Sequence, residues 1–261
     1  MLTRLHSRLL VALVLLSVLV FTSCGDDKSV SSANTVAVVG DAVITKANLN
    51  HWMKTIVGGD FFERIKRRAP LGLVAEPQDY AACVSASETL VAESKQGTPF
   101  TQADLRTKCT QLYQGVKQQA VIFLISAQWR INEGAENGMR LSDAEVSRYA
   151  REANTRDFPK SGELAKYLAD RRWVPSDQLY QFKRNLLTTK LKDKIDAQDN
   201  AKAQSSFIDF IKNNVKKRTA ETNCRPGYIT FQCRQFKAPG EQPLAPLIVL
   251  EELVLGKHLP H

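Results

Sequence analysis

Apolar positions first fall into order over residues 36–56. Val36, Val38 and Val39 are β-branched, Gly40-Asp41 follows, and Val43 and Ile44 restart the extended run. That pattern predicts two strands joined by a tight turn. Thr45 stands where its hydroxyl would accept a hydrogen bond from a first-turn amide of a helix. Leu49, Trp52, Met53 and Ile56 then recur at helical spacing. A two-stranded hairpin is marginal alone, so this one needs a partner later in the chain. Gly58-Gly59 is expected to break the helix, and Phe61, Phe62 and Ile65 to form a short helical cluster after it.

Residues 71–99 are irregular, with Gly72, Pro77, Gly97 and Pro99 and one short helix over 80–90. Thr101-Gln-Ala-Asp104 reads as a capping box with Asp in place of Glu. It opens the longest helix, whose apolar face is Leu105, Cys109, Leu112, Val116, Ala120, Phe123, Leu124, Ala127 and Ile131. At about nine turns and roughly 50 Å, this helix is expected to be a spine for the others. Ser142-Asp-Ala-Glu145 is a full capping box for a helix to about Asn154. Ser161 is expected to cap a short helix carrying Leu164, Tyr167 and Leu168, and Ser176 the next, with Leu179, Phe182, Leu186, Leu187, Leu191 and Ile195. A final helix holds Phe207, Ile208, Phe210, Ile211 and Val215 and ends in Lys216-Lys217-Arg218. Tyr228, Ile229 and Phe231 read as a small strand or hairpin. After a linker, residues 247–255 are apolar and open to either helix or strand.

The N-terminus changes the picture of compartment. Arg4, His6 and Arg8 precede an apolar run over 9–21, too short to span a bilayer comfortably. Thr22-Ser23-Cys24 follows. The arrangement predicts a secretory signal over 1–23. Small residues before Cys24 look like a lipobox, with Cys24 as the lipidated new N-terminus and a polar tether over 24–34. Phe21 departs from the usual leucine, and the alternative is a plain cleaved signal with Cys24 as an odd thiol. Five cysteines are present. Setting Cys24 aside leaves Cys83, Cys109, Cys224 and Cys233, an even set in an exported chain. Two local pairs, Cys83–Cys109 and Cys224–Cys233, are the simplest of the three connectivities. The first would pin the irregular stretch to the long helix, a loop closure that contributes about 3 kcal/mol.

The formal net charge is +9, and loss of Arg4 and Arg8 with the signal would lower it by two. A basic exported protein is drawn to anionic headgroups and wall polymers. No nucleic-acid motif occurs. Neither cysteine pair has metal-ligand spacing, and no cofactor is expected. His51 stands beside Trp52 as a rim residue. Ser142, Ser161 and Ser176 read as helix caps, so no catalytic residues are assigned. What remains is binding. The candidate lining residues for an apolar groove are Trp52, Met53, Phe61, Phe62, Phe123, Trp129 and Trp173.

The order of elements, with Val38-Val39-Gly40-Asp41-Ala42-Val43-Ile44-Thr45-Lys46 leading to Trp52, Leu141-Ser-Asp-Ala-Glu-Val146 and Leu179-Tyr-Gln-Phe-Lys-Arg-Asn-Leu-Leu187, resembles the N-terminal chaperone module of SurA/PrsA-type foldases. Asp79-Tyr80-Ala-Ala-Cys83 with Thr107-Lys-Cys109 resembles lipoprotein members from actinobacteria. The resemblance covers residues 34–195 and, more weakly, the cysteine-bearing end. It implies a mainly α fold with one long helix and a small β-hairpin or sheet, forming one module over 35–238 with an apolar tail over 239–261. It implies that residues 36–44 pair or pack with 228–231, and that the helix from Lys46 lies against the final helix around 207–215. In many relatives a parvulin-type isomerase domain follows the helix that here ends near Ile195. Here a short polar stretch follows instead, and no histidine lies between His51 and His258.

The resemblance therefore implies a lipid-anchored, ATP-independent chaperone on the outer face of the cytoplasmic membrane. Its partners would be unfolded or newly secreted polypeptides. The alternatives are a peptidyl-prolyl isomerase of the same family and an envelope protein that holds one specific partner. The tail over 247–255 is a further candidate occupant of the groove.

Overall fold

The computed structural model describes residues 32–74, 80–94, 100–198 and 203–237. The signal segment, Cys24 and the tail over 239–261 lie outside the described residues. A 3-10 turn, Ser32–Asn34, leads from the end of the expected tether directly into the first strand. Strand β1 is Thr35–Val39 and β2 is Ala42–Thr45. They pair antiparallel, with Val38 opposite Val43 and Val39 opposite Ala42. Gly40, at φ +58°, supplies the turn between them.

The hairpin's partner is a third strand, β3, Thr222–Cys224, which pairs antiparallel with the free edge of β1. The sheet order is β2-β1-β3. Val36 and Ala37 point to opposite faces of β1, and both are completely buried. Helices therefore cover both faces of the central strand. The expected partner, residues 228–231, is not a strand. It folds into turns closed by Tyr228 N–H to the Arg225 carbonyl and Cys233 N–H to the Thr230 carbonyl. The Cys224–Cys233 disulfide holds this turn against β3, with Cα atoms 5.7 Å apart.

Seven helices are described, making the chain mainly helical. Helix α1, Lys46–Ile65, starts at a capping box of Thr45 with Asn48, as the sequence predicts. It does not break at Gly58-Gly59. A Cβ on Gly58 would lie 2.1 Å from the Arg171 carbonyl oxygen, and one on Gly59 would lie 3.2 Å from the Trp173 ring. These glycines admit a neighbouring chain segment; they do not end a helix. Helix α2 is Ala81–Ser94, longer than expected, and Cys83–Cys109 ties it to the next helix with Cα atoms 5.9 Å apart.

Helix α3, Gln102–Glu136, has 35 residues and opens at the predicted Thr101–Asp104 capping box. At 1.5 Å per residue it is about 52 Å long. It is the spine: α1, α2, α6 and β1 pack along it. Helix α1 thus lies on the long helix and not, as expected, on the final one.

Helix α4 is Asp143–Asp157, with the Ser142 hydroxyl accepting from Glu145 N–H. Only half of the expected box forms there, because the Glu145 carboxylate is turned to Lys190 at 2.5 Å. Helix α5, Glu163–Asp170, is capped by Gly162 at φ +83° and not by Ser161. Helix α6, Pro175–Gln198, begins one residue before Ser176. Pro175 suits a first helical position, and the Asp177 carboxylate accepts the Val174 N–H at 3.0 Å, so Ser176 is not the cap. Helix α7, Ala203–Ala220, packs on α6 and leads into β3.

One buried charge closes the module. Arg218 is almost fully buried on α7. Its guanidinium donates to Glu133 at 2.7 Å and Glu136 at 2.6 Å on α3, and to Glu221 at 2.8 Å. Its Nε donates to Asn214. Bonds from Arg218 and Lys217 hold the Glu136 carboxyl below its usual range. Removing the arginine strands Glu133, itself buried. Arg218→Met should therefore lose about 3–5 kcal/mol in urea unfolding at pH 7. A carboxyl held low in the folded state stabilises above its unfolded pKa and stops doing so as pH falls through the folded one. The gap between the variant and the native protein should thus narrow in acid.

Candidate functional site

A cavity of about 410 Å³ opens between α1 and the helices after the spine, α4 to α6. Its position follows from helical spacing on two sides. Ile56, Gly59, Asp60 and Glu63 stand three or four residues apart and form one face of α1. Gln178, Gln181, Phe182 and Asn185 form the opposing face of α6 by the same rule. Asn154, Asp157 and Phe158 close the end at α4, and Tyr167, Arg171 and Trp173 close the end at α5 and the corner after it.

That corner is built by cross-bonds. Trp173 Nε1–H donates to the Thr55 carbonyl of α1 at 2.8 Å. The Trp173 main-chain N–H donates to the Leu168 carbonyl at 2.9 Å. The Arg171 guanidinium lies 3.6 Å from the Tyr167 ring centroid and 4.7 Å from that of Phe62, and pairs with Glu63. Tyr167 in turn stacks on Phe158 at 4.9 Å. Across the cavity, Asn154 and Gln178 exchange two amide hydrogen bonds of 3.1 and 2.9 Å.

The charges of the lining are unequally matched. Burial alone would raise the Glu63 carboxyl, but bonds from Lys66 and Arg171 pull it below its usual value. Asp157 is paired with Arg156 at 2.8 Å. Asp60 has no ion pair or hydrogen bond among the described residues. Burial raises its carboxyl, and only Arg64 opposes that rise. The Tyr167 phenol is also raised, chiefly by burial. The Gln181 Nε2 is buried without a hydrogen-bond acceptor.

The seven residues expected to line an apolar groove do not form one exposed surface. Trp52, Met53, Phe123 and Trp129 are core, only 6, 1, 6 and 3 % exposed. Trp52 packs on Phe123 and Tyr180 at 4.3 and 5.3 Å. Trp129 Nε1–H donates to the Thr222 hydroxyl at 2.8 Å, which ties α3 to β3. Helical spacing alone does not separate a core face from a groove face; tertiary packing does. Phe61 and Phe62 are half-buried, Phe61 against the core and Phe62 beneath Arg171. Trp173 alone of the seven lines the cavity.

A second cavity, of about 630 Å³, is more apolar. It is lined by Met53, Val57, Pro70, Leu73, Val74 and Tyr113 among others. His51 is a half-exposed tie between helices: its Nε2 lies 2.5 Å from Asp177 Oδ1, and among the described residues no hydroxyl or thiol bonds to its ring. No group of three His, Cys, Asp or Glu side chains gathers among the described residues as a metal centre would require. Among the described residues no helix is long and apolar enough to cross a membrane.

No family model, curated protein or solved structure matches this chain. The site therefore rests on its own geometry.

A carboxylate kept unpaired and partly desolvated costs stability. Asp60 binds its proton more tightly in the folded than in the unfolded state. Folding is therefore weakened as pH rises through the window between the two pKa values, and the cost is full above it. Asp60→Asn should raise Tm at pH 7. The gain should vanish in thermal melts below the ordinary carboxyl range, where both proteins carry a neutral side chain.

Proposed function

We propose that this is an exported, non-catalytic polypeptide-binding protein that holds an extended segment of another protein in the cavity between α1 and α4–α6. The observation that carries the reading is the composition of that cavity wall. Amide side chains from Asn154, Gln178, Gln181 and Asn185 stand beside the rings of Phe158, Tyr167, Trp173 and Phe182. Amides match the donors and acceptors of an extended backbone. Aromatic faces take side chains of varied shape at low entropic cost. A volume of about 410 Å³ suits a few residues of an unfolded chain.

The overall arrangement supports the same class. A hairpin, a long helix, several capped helices and a closing helix follow one another as in the chaperone module of SurA/PrsA-type foldases. Under this proposal Cys24 carries a lipid that anchors the protein to the outer face of the cytoplasmic membrane, and the clients are newly secreted polypeptides. The parvulin isomerase alternative lacks its paired histidines, since His51 is the one histidine among the described residues and is tied to Asp177.

A narrower reading, binding of one or a few specific partners, is favoured by the burial of Trp52, Met53, Phe123 and Trp129. Their burial removes the broad apolar face that a general holdase would use, and leaves a small, mixed cavity.

Fluorescence anisotropy with labelled unstructured peptides tests the proposal. Phe182→Ala removes one aromatic wall and should weaken binding about tenfold. Leu71→Asp alters the second cavity, where Leu71 is 77 % exposed, and should leave binding unchanged. The reverse pattern would move the site to the second cavity. In a proline-peptide assay the protein should give no rate above the uncatalysed one, and acceleration would establish the isomerase alternative.

A further inference from the structure

Two polar groups in the cavity are left without partners, and they are of opposite kind. The Asp60 carboxylate is an anionic acceptor with no bonded cation or donor among the described residues. The Gln181 Nε2 is a buried donor with no acceptor. Buried polar groups in folded proteins are satisfied in the great majority of cases. Gln181 Nε2 is such an exception, and Asp60, half-buried in the same cavity wall, has no partner of opposite charge bonded to it among the described residues; together they mark what an occupant of the cavity would supply, a carbonyl oxygen and a positive charge.

Two arginines line the cavity, and among the described residues neither bonds to Asp60. Arg171 is engaged with Glu63, with the Tyr167 carbonyl and with two ring faces, and the Arg184 guanidinium lies over the Phe123 ring, 5.0 Å from its centroid. The cation nearest in effect to Asp60 is Arg64, one turn further along α1 on its exposed side. The neighbouring wall is suited to a cation rather than neutral to it. Trp173 lies against α1 at Gly59, the residue before Asp60, with its ring 3.2 Å from where a Cβ of Gly59 would be. Trp173, Tyr167, Phe158 and Phe182 all face the same space. Ring faces attract an ammonium or guanidinium group, and more strongly where water is partly excluded.

We propose that this cavity selects a basic residue: a lysine or arginine of the bound segment places its cation at Asp60 among the aromatic rings, and a main-chain carbonyl of that segment accepts from Gln181 Nε2. The proposal rests on the polypeptide-binding reading above and adds to it the residue class that is read. A lysine or arginine carries both complements at once, since every peptide residue brings a carbonyl. A free amine would meet Asp60 but leave Gln181 unmatched. The choice of a basic residue is notable in a chain whose own formal charge is +9. Long-range attraction would favour acidic partners, so any preference for a basic residue must come from this local carboxylate.

The test uses the full chain and a panel of labelled unstructured peptides identical except for one central residue: lysine, arginine, glutamine, norleucine or glutamate. The lysine and arginine peptides should bind about tenfold more tightly than the glutamine and norleucine peptides. The glutamate peptide should bind most weakly. Asp60→Asn, shown to fold by its melting curve, should bring the lysine peptide down to the level of the glutamine one. Gln181→Leu should weaken all the peptides alike without changing their order. Equal affinities across the panel, or a basic preference that survives Asp60→Asn, would overturn the inference while leaving the polypeptide-binding reading standing. A panel in which no peptide binds would overturn that reading and the inference with it.

Discussion

The close approach of the Arg171–Trp173 corner to helix α1 sets the position of everything around the cavity. At Gly58 the Arg171 carbonyl comes to where any side chain would collide with it, and at Gly59 the Trp173 ring takes the space a Cβ would need. The corner is then fixed from three directions. Trp173 bonds to the Thr55 carbonyl, Arg172 to the Ala69 carbonyl, and Arg171 to Glu63. Arg172 adopts φ +56° to make the turn, a conformation uncommon outside glycine. Two helix-interior glycines cost about 1 kcal/mol each against alanine. The contact they permit is what places α6 opposite α1 with a gap between them and does not let the two helices close on each other.

The other end of the module is closed by different means. Strand β1 is paired on both edges, so the start of the folded chain is locked to the segment that follows α7. The buried Arg218 links α7 to the end of the spine through Glu133 and Glu136. Trp129 and Gln232 add bonds from α3 to Thr222 and from the cysteine turn to Ser126. Sheet, ion cluster and the Cys224–Cys233 disulfide thus act together on the segment from α7 to the cysteine turn. Around the cavity, α1 and α4 to α6 are joined by the corner, the Asn154–Gln178 amide pair, the His51–Asp177 and Glu145–Lys190 ties and the Trp52–Tyr180 and Tyr149–Phe182 ring contacts.

Local motifs in the sequence were legible and long-range roles were not. The caps at Thr45, Thr101 and Ser142 could be read because a cap is decided within four residues. The spine could be read because its apolar period persists over many turns. Gly58-Gly59 could not, because a glycine pair looks the same whether it ends a helix or admits a neighbour. Ser161 and Ser176 were plausible caps displaced by Gly162 and by Asp177. Strand β3 is three residues long, too short to show a period, whereas the apolar Tyr228, Ile229 and Phe231 resembled a strand and form a turn. For the site, bulk and helical spacing are shared by core and lining residues, so they do not mark a cavity. Asp60, Gln178 and Gln181 carry no signal in the sequence, because polar positions on a helix usually face water. Only the opposed faces of α1 and α6 show that these do not.

Under the proposal above, polypeptide is held between α1 and α6 and not elsewhere on the surface. The Trp173 indole N–H, bonded to Thr55 at 2.8 Å, is a single resolved reporter inside that space. Nuclear magnetic resonance mapping with a bound unstructured peptide is the direct measurement. Binding in that space should shift the Trp173 indole, Gly59 and Asp60, and the side-chain amides of Gln178 and Gln181. Shifts gathered instead around Pro70, Leu73 and Tyr113, or an unmoved Trp173 indole at saturation, would contradict it.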